Sequence, residues 1–141
     1  MPPKKRILCI SNDAALLATR RMLLEQSGFT VVPAFGFAEA MGHCSTDASF
    51  DLVLMGQTLP PKDKKSLIAT LREMDCKAPV LSIRLHGDEP LPEVDYTIES
   101  QAGPVALIEA VKAALGVGKG AKSDRTTSDR SFRFSKDSSN D

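Results

Sequence analysis

The sequence predicts an α/β protein in which helices cover both faces of a parallel sheet. Two observations support this fold class: short apolar segments alternate with amphipathic segments, and the apolar segments lack an alternation of polar residues. Strands of this composition are buried on both faces, which is typical of a parallel sheet flanked by helices. Because crossovers between parallel strands are right-handed, the sheet is expected to be doubly wound.

Five strands and four helices follow from this pattern. The first predicted helix is capped by Asp13 and stopped by Gly28, and the last begins at Pro104, a favoured first helical residue. The third helix is expected to bury Leu67, Ile68, Leu71 and Met74. The predicted strands are residues 6–10, 30–33, 51–55, 79–83 and 96–98, and the first three helices are residues 14–26, 37–44 and 64–74.

Composition limits the possible functions. The 141 residues suggest one domain, and 18 basic against 18 acidic residues give no overall field that would attract nucleic acid. No apolar run approaches the roughly 20 residues that span a bilayer, and the N-terminus does not have the form of a signal peptide. We therefore expect a cytoplasmic protein. The odd number of widely spaced cysteines (Cys9, Cys44 and Cys76) predicts buried free thiols.

The chain changes character after residue 116. Residues 5–116 are expected to form the folded domain, and residues 117–141 are rich in Ser, Arg, Lys and Asp and are expected to be disordered. Cations and aromatics within this tail leave open a nucleic-acid or membrane adaptor role. Lys62, Lys64 and Lys65 are interpreted as solvated charges.

Several motifs in order resemble the receiver domain of bacterial response regulators, the CheY-like family. They are the run DLVLM at 51–55, Leu59-Pro60 after it, and PVLSI at 79–83, and the resemblance covers residues 5–116. It implies a flavodoxin-like sheet with strand order 2-1-3-4-5. It also implies a site at the strand tips: acidic residues for Mg²⁺ after the first strand, a phosphoacceptor Asp after the third, a Ser or Thr after the fourth and a Lys after the fifth.

Every position of that site departs from the family pattern. The acidic pair falls on Ser11 and Asn12, with only the next residue, Asp13, charged; the acceptor falls on Gly56, the Ser/Thr on Arg84 and the Lys on Glu99. An aspartyl phosphate requires a carboxylate nucleophile, and Mg²⁺ favours anionic oxygen ligands. We therefore expect a degenerate receiver with no bound metal, no cofactor and no enzymatic activity.

Three further predictions concern the neighbourhood of this site. Arg84 and Glu99 either form an ion pair that partly fills the old pocket or are solvated separately. Tyr96 matches a switch position of the family, and a fixed packing role is expected there. Pro90 and Pro92 in the fourth connection predict that the fourth helix of the family is missing or reduced to a turn.

Together these features predict a stand-alone receiver domain that signals through contacts with a protein partner, such as a histidine kinase or another regulator. No small-molecule substrate is expected, and nucleic acid is disfavoured. The alternatives are a phosphorelay protein that uses a displaced acceptor such as Asp13 or Asp51, and an adaptor that acts through the tail.

Overall fold

The structure is a computed structural model that describes residues 4–47, 49–85, 87 and 91–116. Predictions made for residues 117–141 lie outside the described residues. Strands and helices alternate along the described part of the chain. The strands are β1 (Arg6–Ser11), β2 (Thr30–Phe35), β3 (Leu52–Met55), β4 (Val80–Arg84) and β5 (Tyr96–Glu99). The helices are α1 (Ala14–Gln26), α2 (Gly36–Thr46), α3 (Pro61–Glu73) and α4 (Gly103–Leu115), with a 3₁₀ turn at Ser100–Ala102 before α4.

The five strands form one parallel sheet in the order β2-β1-β3-β4-β5, which confirms the predicted topology. The register places Met55 of β3 beside Ser82 of β4, so the carboxyl ends of the central strands meet at one edge. The outer strand β2 contains Pro33, opposite Cys9 of β1. Proline is found in sheets on such edge strands because it cannot donate a ladder hydrogen bond.

Each face of the sheet has its own apolar core. Alternate residues of β1 illustrate the division, because Leu8 and Ile10 belong to one core and Ile7 and Cys9 to the other. The first core contains residues of α2 and α3, and the second contains residues of α1 and α4. This arrangement explains why the strands are apolar on both faces.

Helix ends follow the predicted chemistry with two differences. Asp13 caps α1, its Oδ1 accepting a hydrogen bond from the Leu16 N–H at 3.0 Å, and Gly28 follows the helix with a φ of 99°. Helix α3 begins at Pro61, three residues before the prediction, because proline is suited to the first turn. The prediction that Met74 is buried was wrong, since it caps the end of α3 and is 37% exposed.

No helix is found between β4 and β5 in the described residues of that connection, as predicted. The chain instead returns through Leu91–Asp95, where Val94 packs against the core on the α2 and α3 side. Asp95 then closes the return, because its Oδ2 accepts a hydrogen bond from the Val80 N–H at 2.8 Å. The described part of this connection therefore differs from the receiver family, which places a helix there.

The three cysteines are buried free thiols. Burial raises the pKa of Cys9 to about 12 and the pKa of Cys44 to about 11. Because the thiolate is the reactive species, we expect a thiol-specific reagent at about pH 8 to label none of the three in the folded protein and all three after unfolding. Rapid labelling of one cysteine in the native protein would contradict this expectation, and mass spectrometry would identify it.

Candidate functional site

The residues at the end of β1 use their polar atoms in hydrogen bonds within the protein, which leaves few oxygen atoms that could bind a metal. Ser11 is fully buried, and its Oγ accepts from the Asp13 N–H at 3.0 Å. Asp13, the remaining acidic residue, caps α1 through Leu16. Asn12 crosses to the loop after β3, donating from its N–H to Thr58 Oγ1 at 3.0 Å and from Nδ2 to the Thr58 carbonyl at 3.3 Å. The two loops that would frame a receiver pocket are thus joined to each other.

Gly56 lies directly after β3, at the position of the family's phosphoacceptor. It is buried, and its N–H donates to the Ile10 carbonyl at 2.9 Å. A Cβ atom here would lie 3.0 Å from Nη1 of Arg20 and 3.1 Å from the Ile10 carbonyl oxygen. The guanidinium of Arg20 therefore lies where the acceptor side chain would begin.

Arg20 reaches this place from α1 and is only 7% exposed. Its Nη2 donates to Gln57 Oε1 at 2.7 Å, whereas Nη1 is buried and has no hydrogen-bond partner among the described residues. Burial lowers the pKa of Arg20, and nearby Cys9 and Asp13 oppose this shift. An arginine stays protonated in proteins, so Arg20 brings a positive charge to a place where the family has a carboxylate.

Lys64 brings a second cation to the same edge from the opposite face. Its side chain is 4% exposed, and Nζ donates to Ser82 Oγ at 2.8 Å and to the Ile83 carbonyl at 3.1 Å. The interpretation of Lys64 as a solvated charge was therefore wrong. It lies three and four residues before the buried Leu67 and Ile68, on the inward face of α3.

Arg84 and Glu99 end the adjacent strands β4 and β5 and lie side by side in the register. Arg84 Nη2 and Glu99 Oε2 are 3.6 Å apart, an ion-pair contact that is longer than a hydrogen bond. Such a partly exposed pair stabilises the fold by only about 0–1 kcal/mol. Of the two predicted arrangements, the ion pair is the one present, and Arg20 is a further side chain that lies against Gly56.

Tyr96 begins β5 and shares its sheet face with Ile98. The predicted packing role is only partly met, since the side chain is 37% exposed. Partial burial raises the pKa of the Tyr96 hydroxyl, and nearby Asp95 raises it further.

A cleft of about 380 Å³ lies beside the ends of β3 and β4. We call it the β4 cleft. Its polar lining includes the hydroxyl residues Thr58, Ser82 and Thr97. Its cationic residues are Lys64 and Arg84, and its apolar residues include Pro60, Pro61, Leu85 and Leu91.

Arg20, Lys64 and Arg84 thus bring three cationic side chains to the carboxyl edge of the sheet. Within residues 4–47, 49–85, 87 and 91–116, no group of three His, Cys, Asp or Glu side chains could hold a metal ion. The same part of the chain has no helix of the length and apolarity needed to cross a membrane.

The sequence indicated five positions of the family's site, but it did not indicate that Arg20 and Lys64 reach the same edge of the sheet. The signal was present in both cases. Arg20 lies three residues after Leu17 and four before Leu24, both buried, so it occupies the inward face of α1. A basic residue on the inward, apolar face of a helix is a pattern that can be recognised in a sequence.

Comparison with solved structures identifies the fold. The receiver domain of the hybrid histidine kinase CckA is 25% identical, with a TM-score of 0.66 over 78% of this chain and 98% of that one. A CheY-like receiver domain from Methanospirillum hungatei JF-1 is 23% identical, with a TM-score of 0.68 over 80% of this chain and 94% of that one. The chain has the receiver fold. The lack of a helix in the described residues between β4 and β5 is consequently a departure within the receiver fold and not a sign of another architecture.

Curated proteins give a partial match. The transcriptional regulatory protein PrrA of Mycobacterium leprae is 34% identical over 86 residues, which are 60% of this chain and 36% of that protein. PrrA of Mycobacterium tuberculosis gives the same identity and coverage. The chain thus spans about a third of the length of these relatives. No protein-family model matches the chain.

Proposed function

We propose that this chain is an atypical receiver domain of two-component signalling that acts by binding a partner protein and does not accept a phosphoryl group. One observation carries the proposal: the acceptor position is Gly56, and the Arg20 guanidinium lies 3.0 Å from where its Cβ would be. Glycine supplies no nucleophile. A positive charge at this place also disfavours the Mg²⁺ that assists phosphoryl transfer.

The displaced acceptors suggested by the sequence have other roles in the fold. Asp13 caps α1. Asp51 Oδ2 accepts a hydrogen bond from the Arg6 N–H at 2.8 Å, at the beginning of β1 and so away from the carboxyl edge of the sheet. These contacts support a receiver without an acceptor over a phosphorelay protein that uses a different carboxylate.

Contacts around Gly56 support a domain that holds one conformation. Asn12 joins Thr58, Arg20 joins Gln57, and Lys64 joins Ser82. The first two contacts reach the loop after β3, and the third reaches β4. A partner would then recognise a surface that is already formed, and any switching would come from the partner's own binding energy.

The comparisons support a regulatory role of this kind. CckA is a hybrid histidine kinase with its own receiver domain, and the mycobacterial relatives are transcriptional regulatory proteins. A histidine kinase or another regulator is therefore the class of partner that we propose.

Incubation with acetyl phosphate and Mg²⁺, followed by intact mass measurement, tests the proposal. We expect the mass to stay unchanged, because no carboxylate lies at the end of β3. A receiver with aspartate at the acceptor position, treated in parallel, serves as the positive control. A stable added phosphoryl group that is lost in Asp13→Asn or Asp51→Asn would establish the displaced acceptor instead.

A further inference from the structure

The β4 cleft has the size of a binding site. Its volume of about 380 Å³ falls within the range of about 300–1,000 Å³ for clefts that hold small ligands. That is room for a few side chains of a docked segment and not for a folded domain. The cleft exists because the described residues between β4 and β5 form no helix over this face.

The wall formed by the start of α3 is positively charged. Lys62 and Lys65 are exposed, Lys64 lines the cleft, and Asp63 is the single acid in this turn. Three cations against one carboxylate leave the turn with net positive charge. The amino end of the 13-residue α3 adds the partial positive charge of its unpaired N–H groups. Arg84 also lines the cleft, at the end of β4, where its charge is offset by the ion pair with Glu99.

The remainder of the lining is apolar and accessible. Leu85 is 48% exposed, and Pro60 and Pro61 are exposed beside it. Leu91 is half-buried on the returning chain. An occupant that pairs only charges would leave these side chains in water, whereas one with apolar residues would bury them.

We propose that the β4 cleft binds an acidic segment of a partner protein, with carboxylates toward the exposed Lys62 and Lys65 and apolar side chains against Leu85 and Leu91. The inference rests on the proposed function, since it names the chemistry of the partner for a domain that acts through protein contacts. Charge complementarity of this kind selects the partner and speeds the encounter.

Titration with a fluorescent peptide of alternating Glu and Leu, followed by anisotropy and by ¹⁵N chemical shifts, tests the proposal. We expect the amide signals of Thr58, Leu85 and Thr97 to shift and the affinity to fall with added salt. The double variant Lys62→Glu/Lys65→Glu should bind about tenfold more weakly. Both side chains are exposed, so the variant should keep its fold, which circular dichroism would verify.

Matched controls distinguish binding at a specific site from nonspecific attraction between opposite charges. Lys5→Glu changes an exposed lysine just before β1, at the opposite edge of the sheet, and should leave binding unchanged. Equal weakening by Lys5→Glu, equal binding of a peptide with Gln in place of Glu, or no shift at the cleft amides would overturn the proposal. Tighter binding of a single-stranded RNA oligonucleotide of equal charge would do the same. None of these outcomes affects the phosphorylation result, so the two proposals can fail independently.

Discussion

Replacing Lys64 by alanine is expected to lower the free energy of unfolding by about 2–4 kcal/mol. The substitution removes a buried aliphatic stem and leaves the Ile83 carbonyl without the Lys64 donor. Urea denaturation followed by circular dichroism would measure the change. A loss of this size would show that the buried side chain of Lys64 stabilises the fold through its contacts with β4.

Two companion variants separate the stem from the ammonium group. Lys64→Met keeps most of the apolar stem but removes the hydrogen bonds to Ser82 and Ile83, so we expect a smaller loss of about 1–2 kcal/mol. Lys65→Ala changes the next residue, which is exposed, and should stay within about 0.5 kcal/mol of the parent. If Lys64→Ala lowered the free energy of unfolding no more than Lys65→Ala, the buried position of Lys64 would be contradicted.

Restoring the acceptor by Gly56→Asp is expected to leave the chain unable to take a phosphoryl group from acetyl phosphate. The new carboxylate would lie against Arg20, and an ion pair would hold it away from the donor. After β1, Asp13 is the one carboxylate that could bind Mg²⁺ beside the new aspartate, and its side chain already caps α1. Intact mass after incubation with Mg²⁺ would check this. A phosphoryl group on the single variant would show that the other residues of the site still support phosphoryl transfer once an acceptor is present.

The same position gives a stability prediction with a control of opposite sign. Gly56→Ala brings a methyl group against Arg20 and the Ile10 carbonyl, and should cost about 1–3 kcal/mol. Gly42→Ala lies within α2, where an added Cβ meets nothing within 4 Å, and should stabilise by about 0.5–1 kcal/mol. Thermal unfolding of the two variants beside the parent would distinguish the tight position from the open one.

The topology could be predicted because it depends on patterns that lie within short segments. The apolar runs at β1, β3 and β4 require burial on both faces, and the caps at Asp13 and Gly28 fix the ends of α1. The lack of a helix in the described part of the β4–β5 connection was predictable for the same reason, since proline disfavours helical angles at its own position and at the residue before it.

The side chains that fill the site could not be predicted as easily. Arg20 and Lys64 were hidden within helices whose apolar residues dominated the pattern, and the prediction for α3 began at Lys64 itself. Starting the helix at Pro61 places Lys64 in the first turn and turns it inward. Which strand end each long side chain reaches depends on the packing of α1 and α3 on the sheet, a relation between distant segments.

Pro33 has a consequence for the behaviour of the protein in concentrated solution. The outer strand β2 has a gap in its row of amide donors at this residue. A second molecule that tried to extend the sheet there would find one rung of the ladder missing, which discourages fibrous self-assembly along that side.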